Sequence, residues 1–364
     1  MLTDFEAHEF HEDVERVLKL KQAALNANVP ALALDNAHTV AFHTGLGAPI
    51  YPTPASSYQK YLNEDYIASF ADVVYSKPNI ALVAEGADAQ SLSRWVGEFF
   101  KDVPASARSG QTLETTASKY YGGEQRTNHP GGNSIVLAFP GTEYGTAKPE
   151  IAVLAALLGG QPTIKWAPGF SLLSKSTADI PNLSVTTSNL TYSDAGLLAV
   201  QLTGPAASVR RGAQATVAAL QSVANGTVSK EDVAKAIANA KFNTLDDAQL
   251  REPALHLTGS GIVNTGKPYD LASLAKAIDS VTADKLKAVS FAFITPLTSA
   301  ITNLLHRLPR LCLMARPLLP RSVICLSCLT LRSLALRYRW RANGHASLYQ
   351  QSELSRRGFI ELPL

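Results

Sequence analysis

The chain has 364 residues, length for about two domains, and 46% of them are hydrophobic, enough to build sizeable cores. Its net charge of +3 joins two unlike parts: residues 1–290 hold 16 Lys, 7 Arg and 28 acids, whereas residues 291–364 hold 10 Arg, no Lys and only Glu353 and Glu361. The first part has no basic stripe for nucleic acid, no cysteine for disulfide or thiolate chemistry, and none of the composition of a disordered chain.

The chain opens directly in a helical pattern, with neither a cleavable apolar leader nor an Arg-rich presequence, and so reads as entering partway through a domain. A helix is expected over residues 5–28, continuing to Leu34, and a short one over 36–43 before the Gly45-Leu46-Gly47 turn. Pro49, Pro52 and Pro54 then impose an irregular passage. Residues 56–72 place Tyr58, Leu62, Tyr66 and Phe70 on one helical face. After the Pro78-Asn79 turn, Ile80–Ala84 reads as a short buried strand. Gly86 and Asp88 then open a helix whose apolar stripe is Leu92, Trp95, Val96, Phe99 and Phe100.

Residues 105–118, rich in Ser, Thr, Ala and Gly, read as a linker. Beyond it, Ser134–Phe139 has the pattern of a strand, and Pro149 starts a helix that ends at Gly159-Gly160. Leu183–Thr186 and Leu197–Leu202 form an expected hairpin. Helices are expected over 206–224, after Ser229 with Asp232 in support, and over 251–263, 270–279 and 283–290. This order belongs to an α+β sandwich and not to a doubly wound sheet.

The catalytic inventory is empty. His8-Glu9-Phe10-His11-Glu12 puts its second histidine one position too early for His-Glu-x-x-His, and the inverted order fails because residue 11 is not Glu. A solvated helix face accounts for it. His38 and His43 are five apart, a poor spacing for one face, and His129 and His256 stand alone. Gly45-Leu46-Gly47, Gly159-Gly160 and Gly259-Ser260-Gly261 lack the flanks of a nucleotide loop and read as turns and helix ends. Cys325-x-x-Cys328, even with Cys312 and His306, sits among Leu and Arg without the turns of a zinc site. The sequons at Asn189 and Asn225 would matter only in a secreted chain. No catalytic, cofactor-binding or metal-ligating residue is assigned, and no cofactor is expected.

One resemblance runs through residues 5–289. His38–Gly47 followed by Pro49-Ile50-Tyr51, Asn79–Gly86, Gly132–Gly141, and Leu157–Gly160 leading into Ile164–Leu173 occur in an order and spacing that resembles the core-protein-2 family of the mitochondrial ubiquinol–cytochrome c reductase (cytochrome bc1) complex, in its fungal form. That family is related to the mitochondrial processing peptidase and the pitrilysin-like metallopeptidases. The resemblance implies two related pitrilysin-like α/β sandwich domains. The first (1–104) is truncated at its N-terminus; the second (119–290) lacks its closing elements. It also implies a non-catalytic structural and assembly subunit, peripheral on the matrix side of the mitochondrial inner membrane. Its implied partners are core protein 1, cytochrome b, cytochrome c1 and the Rieske protein. The alternative within the same resemblance is a substrate-binding, non-catalytic subunit of the processing peptidase. That subunit uses a flexible glycine-rich loop, whereas Pro162 and Pro168 stiffen Gly159–Gly169.

Residues 291–364 depart from this pattern as an aberrant Arg- and Leu-rich tail. Its uncharged run Ala288–Leu305 is 18 residues long, but Pro296 and several Ser and Thr argue against a membrane span, and the abrupt change in composition reads as sequence foreign to the family.

Overall fold

The computed structural model describes residues 10–51, 64–107, 109–110, 117–143, 148–162, 169–293 and 322–327. A π-helical turn, Phe10–Val14, runs into α1 (Glu15–Ala27). The expected helix through Leu34 is broken at Asn28, whose backbone turns extended while its side chain accepts the Ala31 N–H at 3.2 Å. With Pro30 in its first turn, α2 (Val29–Phe42) starts afresh, and the separate short helix expected over 36–43 is its second half. Helix α3 spans Glu64–Val74; the earlier part of the helix expected from residue 56 lies outside the described residues. Helix α4 (Ala89–Phe99) begins where expected, with the Asp88 carboxylate accepting from Gln90 and Ser91 N–H.

A five-stranded sheet organises the rest: β1 (Glu124–Asn128), β2 (Asn133–Pro140), β3 (Ser184–Thr191), β4 (Gly196–Gly204) and β5 (Ser322–Ser327), in the order β1-β5-β2-β4-β3. β2 and β4 pair antiparallel from Asn133↔Gly204 to Pro140↔Leu197, and β3 extends the ladder as the expected hairpin. β5 lies antiparallel to β1 and parallel to β2. A strand from the tail therefore occupies a place where the sequence pattern expects the second unit to lack one.

Strand alternation divides two cores. Ile135, Leu137 and Phe139 of β2, with Leu198, Val200 and Leu202 of β4, face one layer of helices. These are α5 (Pro149–Leu158), α6 (Leu172–Thr177), α7 (Ala206–Asn225), α8 (Lys230–Gln249), α10 (Leu271–Asp279) and α11 (283–293), with Phe293 of α11 stacked 5.1 Å from Phe139. Val136, Ala138, Leu197 and Ala199 face the opposite way, onto α2. Ala33, Ala37 and Ala41 repeat every fourth residue at full burial, and their small side chains let α2 lie close on the sheet. α2 thus packs across the expected linker onto the second unit.

The outer edge of β3 is partly covered. Gln161 donates its backbone N–H to Val185 O at 3.1 Å and its side chain to Leu183 O at 2.7 Å, and the Thr187 hydroxyl bonds the Gly159 carbonyl. Gly159 has a φ of +58°, and a Cβ on Gly160 would strike the Val185 carbonyl. The Gly-Gly pair is a close-packed helix end capping a sheet edge, not a ligand loop.

The strand expected at Ile80–Ala84 does not form. The segment joins no ladder among the described residues, and Leu82 is 47% exposed. Two segments without a clear apolar alternation signal, β1 and β5, are strands instead. Among the described residues no helix is long and apolar enough to cross a membrane.

Candidate functional surfaces

The polar side chains of the first helices act as joints to the sheet. His38 of α2 donates Nδ1–H to Leu34 O at 2.8 Å, a carbonyl that can only accept, which leaves Nε2 to accept the Tyr192 hydroxyl at 2.6 Å. The rings meet edge to face with centroids 5.7 Å apart. Burial raises the Tyr192 phenol above its usual range, consistent with a hydroxyl kept protonated as a donor. His129 works alike: Nε2–H donates to Asn26 O at 2.6 Å while Nδ1 accepts from Gly131 N–H at 3.0 Å. His43 ends α2 with its ring 5.0 Å from that of Tyr121. The ring nitrogens of His38 and His129 are therefore committed to structure.

Two carboxylates complete this region. Asp35 is buried, and burial lifts its pKa; the Ile50 N–H, 3.3 Å from Oδ1, and the nearby His38 act in the other direction without cancelling the rise. Burial also pushes Asp194 up, but the Ser118 N–H at 2.6 Å, the Ser118 hydroxyl and Ser193 outweigh it and hold the carboxyl below its usual range. Asp194 thus ties the end of the expected linker to the β3–β4 turn, beside a cavity of about 240 Å³ lined by Phe42, Tyr120, Thr142 and Lys148.

A second region flanks residues 80–84. Ala81 and Val83 line a cavity of about 560 Å³ against α9 (Arg251–Thr265), which contributes Glu252, His256 and Ser260 at four-residue spacing. Ile80 and Leu82 line a groove of about 280 Å³ against Val96 and Phe100, with Lys77 and Lys101 at its margin. On α4, Trp95 and Phe99 stack at 5.6 Å and are exposed.

His8, Glu9, His306, Cys312 and Cys328 lie outside the described residues; Cys325 falls within β5, paired through its backbone with Gln125 and Val136. Among the described residues no group of three or more His, Cys, Asp or Glu could hold a metal ion. Sequence reasoning missed the joints between α2 and the sheet because their partners lie far apart in the chain, 154 residues for His38 and Tyr192. No local spacing carries that signal.

With this geometry in place, comparison with known proteins defines the class. Residues 61–240 match the family described as the peptidase M16 inactive domain. The fold is similar to that of a chain in complex III2 from Candida albicans, solved with Inz-5 bound, at a TM-score of 0.60 and 14% identity, covering 76% of this chain and 67% of that one. Through residues 61–240 the chain carries a domain of the peptidase M16 family.

Within that family it is 50% identical over 288 residues to cytochrome b-c1 complex subunit 2, mitochondrial, of Neurospora crassa, covering 79% of this chain and 63% of the relative. Identity to the protein of the same name from Cryptococcus neoformans is 32%, covering 80% and 64%. The mitochondrial-processing peptidase subunit alpha-2 of Dictyostelium discoideum is 28% identical, covering 77% and 63%. The chain spans just under two thirds of the length of these relatives.

Proposed function

We propose that this chain is a structural and assembly subunit of the mitochondrial ubiquinol–cytochrome c reductase complex, supporting respiratory electron transport without catalysing a step itself. The observation that carries this reading is the 50% identity to the Neurospora crassa subunit 2 over 288 residues. The chemistry of the chain agrees with it. The histidines of the α2 region serve hydrogen-bonded and stacked joints, and Gly159-Gly160 closes a sheet edge. In this reading residues 105–118 link two units of one shell, peripheral on the matrix side of the inner membrane. The shell's neighbours are core protein 1, cytochrome b, cytochrome c1 and the Rieske protein.

The test is affinity isolation of the tagged full chain from detergent-solubilised mitochondrial membranes. Co-isolation with b- and c-type haem absorbance and with core protein 1 is expected. Recovery in a haem-free fraction overturns the assignment. The likeness to the Dictyostelium processing peptidase subunit favours one second reading, a substrate-binding subunit of a presequence peptidase. Leader-peptide cleavage by the isolated material, in place of haem, would select it.

A further inference from the structure

Asn225-Gly226-Thr227 is a motif that neither the fold nor the proposed role explains. Its three residues are exposed and lie in the turn from α7 to α8. That turn is a complete Schellman closure. Gly226, in the left-handed region at φ +72°, gives its N–H to Val223 O at 3.0 Å, and the Thr227 N–H reaches Ser222 O at 3.0 Å. The Thr227 hydroxyl adds a third bond, to the same Ser222 carbonyl at 3.0 Å. An asparagine before a glycine carries its own electrophile beside its own nucleophile. The glycine nitrogen can attack the asparagine Cγ, because no Cβ on the following residue blocks the approach. Here the cap restrains that attack: Asn225 is held in helical backbone geometry as the last residue of α7, and the attacking N–H is bonded to Val223 O.

We infer that Asn225 is a self-modification site, deamidating to aspartate and isoaspartate at a rate set by opening of the α7 C-terminal cap. The Gly226 nitrogen bonds to Cγ of Asn225 and its proton passes to water; the Cγ–Nδ2 bond breaks and ammonia leaves. Water then opens the cyclic imide. Attack at Cγ gives aspartate, whereas attack at the backbone carbonyl gives isoaspartate, with the chain rerouted through Cβ and Cγ. The place gives the reaction its consequence. Val223 and Ala224, just before it, are buried in the helical layer, and a Cβ at Gly226 would lie 3.6 Å from Lys287 Nζ of α11. Isoaspartate adds a backbone methylene inside the Schellman turn, breaking its bonds and loosening the junction of α7, α8 and α11. Aspartate instead sets a carboxylate at a helix C-terminus, where the macrodipole disfavours it, close to the Lys287 ammonium.

The experiment is peptide mass mapping of the full chain incubated folded and in urea, beside a Thr227→Val variant. Mapping locates the change, since Asn343-Gly344 is a second such pair. Conversion at Asn225 is expected in the folded chain, at least about tenfold slower than in urea, as two product peptides of equal mass. Thr227→Val removes the hydroxyl bond and keeps the side chain's shape. It should quicken conversion of the folded chain about fivefold and leave the rate in urea unchanged. Circular dichroism matching the parent chain establishes that the variant is folded. Conversion in urea with none in the folded chain overturns the site. A folded rate equal to that in urea, or one indifferent to Thr227→Val, overturns the cap as its gate.

Discussion

Asp35 is only 7% exposed on α2, and its carboxyl is lifted by burial more than the Ile50 N–H and His38 lower it. A carboxyl whose folded pKa is raised binds its proton more tightly in the folded state. Its contribution to stability is present at low pH and is lost as pH rises through the raised value. Asp35→Asn keeps an oxygen for the Ile50 N–H and removes the charge. The variant should therefore be more stable than the parent chain at neutral pH and converge with it on acidification, as urea midpoints across acidic to neutral pH would show. Asp194 has the opposite sign: its lowered carboxyl stabilises above the ordinary carboxylate range, and that contribution fades on acidification. Tyr192→Phe isolates the other joint. It leaves His38 Nε2 without its donor in a half-buried site, and an unfolding loss of about 1–2 kcal/mol is expected from denaturant titration.

At the scale of elements, two glycines make opposite predictions. A Cβ at Gly160 would meet the rigid Val185 carbonyl, so Gly160→Ala should cost about 1–3 kcal/mol and loosen the cover on the β3 edge. Gly97 lies inside α4, where a Cβ meets nothing within 4 Å, so Gly97→Ala should stabilise by about 0.5–1 kcal/mol. Thermal unfolding of the pair reads both signs. The same contrast explains what the sequence disclosed. Helix ends were legible where a side chain or a glycine closes them locally: Asp88 before α4, Pro149 and Gly159 around α5, Ser229 with its Oγ accepting Asp232 N–H at 3.1 Å before α8. The hairpin of β3 and β4 was legible because its apolar residues coincide with burial. Ile80–Ala84 carries the residues of a buried strand but has no ladder, since pairing is decided by neighbours and not by propensity. β1, Glu-Gln-Arg-Thr-Asn, has no apolar alternation and is a strand through its backbone partner alone. None of the long-range joints of His38, Asp194 or Gln161 was legible, because each depends on a partner that only the fold brings near.

For the molecule as a whole, the question is what completes the sheet. β1 pairs with β5 and with no other described strand, and β5 bridges it to β2 through Ile324↔Arg126 on one side and Ile324↔Ile135 on the other. The segment supplying that bridge belongs to the Arg-rich tail, whose composition differs from that of the first 290 residues, and residues 294–321 lie between it and α11 in the chain. A strand held on both edges by backbone bonds needs little from its side chains, which is how a segment of such different composition can fill this place. Ile324→Pro tests this directly, because proline removes an N–H and fits poorly in an interior strand. Hydrogen exchange on the full chain should then show protection at Glu124–Asn128 falling by at least about tenfold, while the β2–β4 ladder and its helical layer keep theirs. Loss confined to β1 means that the tail closes the sheet and that the remaining core stands without it. Unchanged protection at β1 would mean that another segment holds that strand, and the role assigned to Ser322–Ser327 would pass to it.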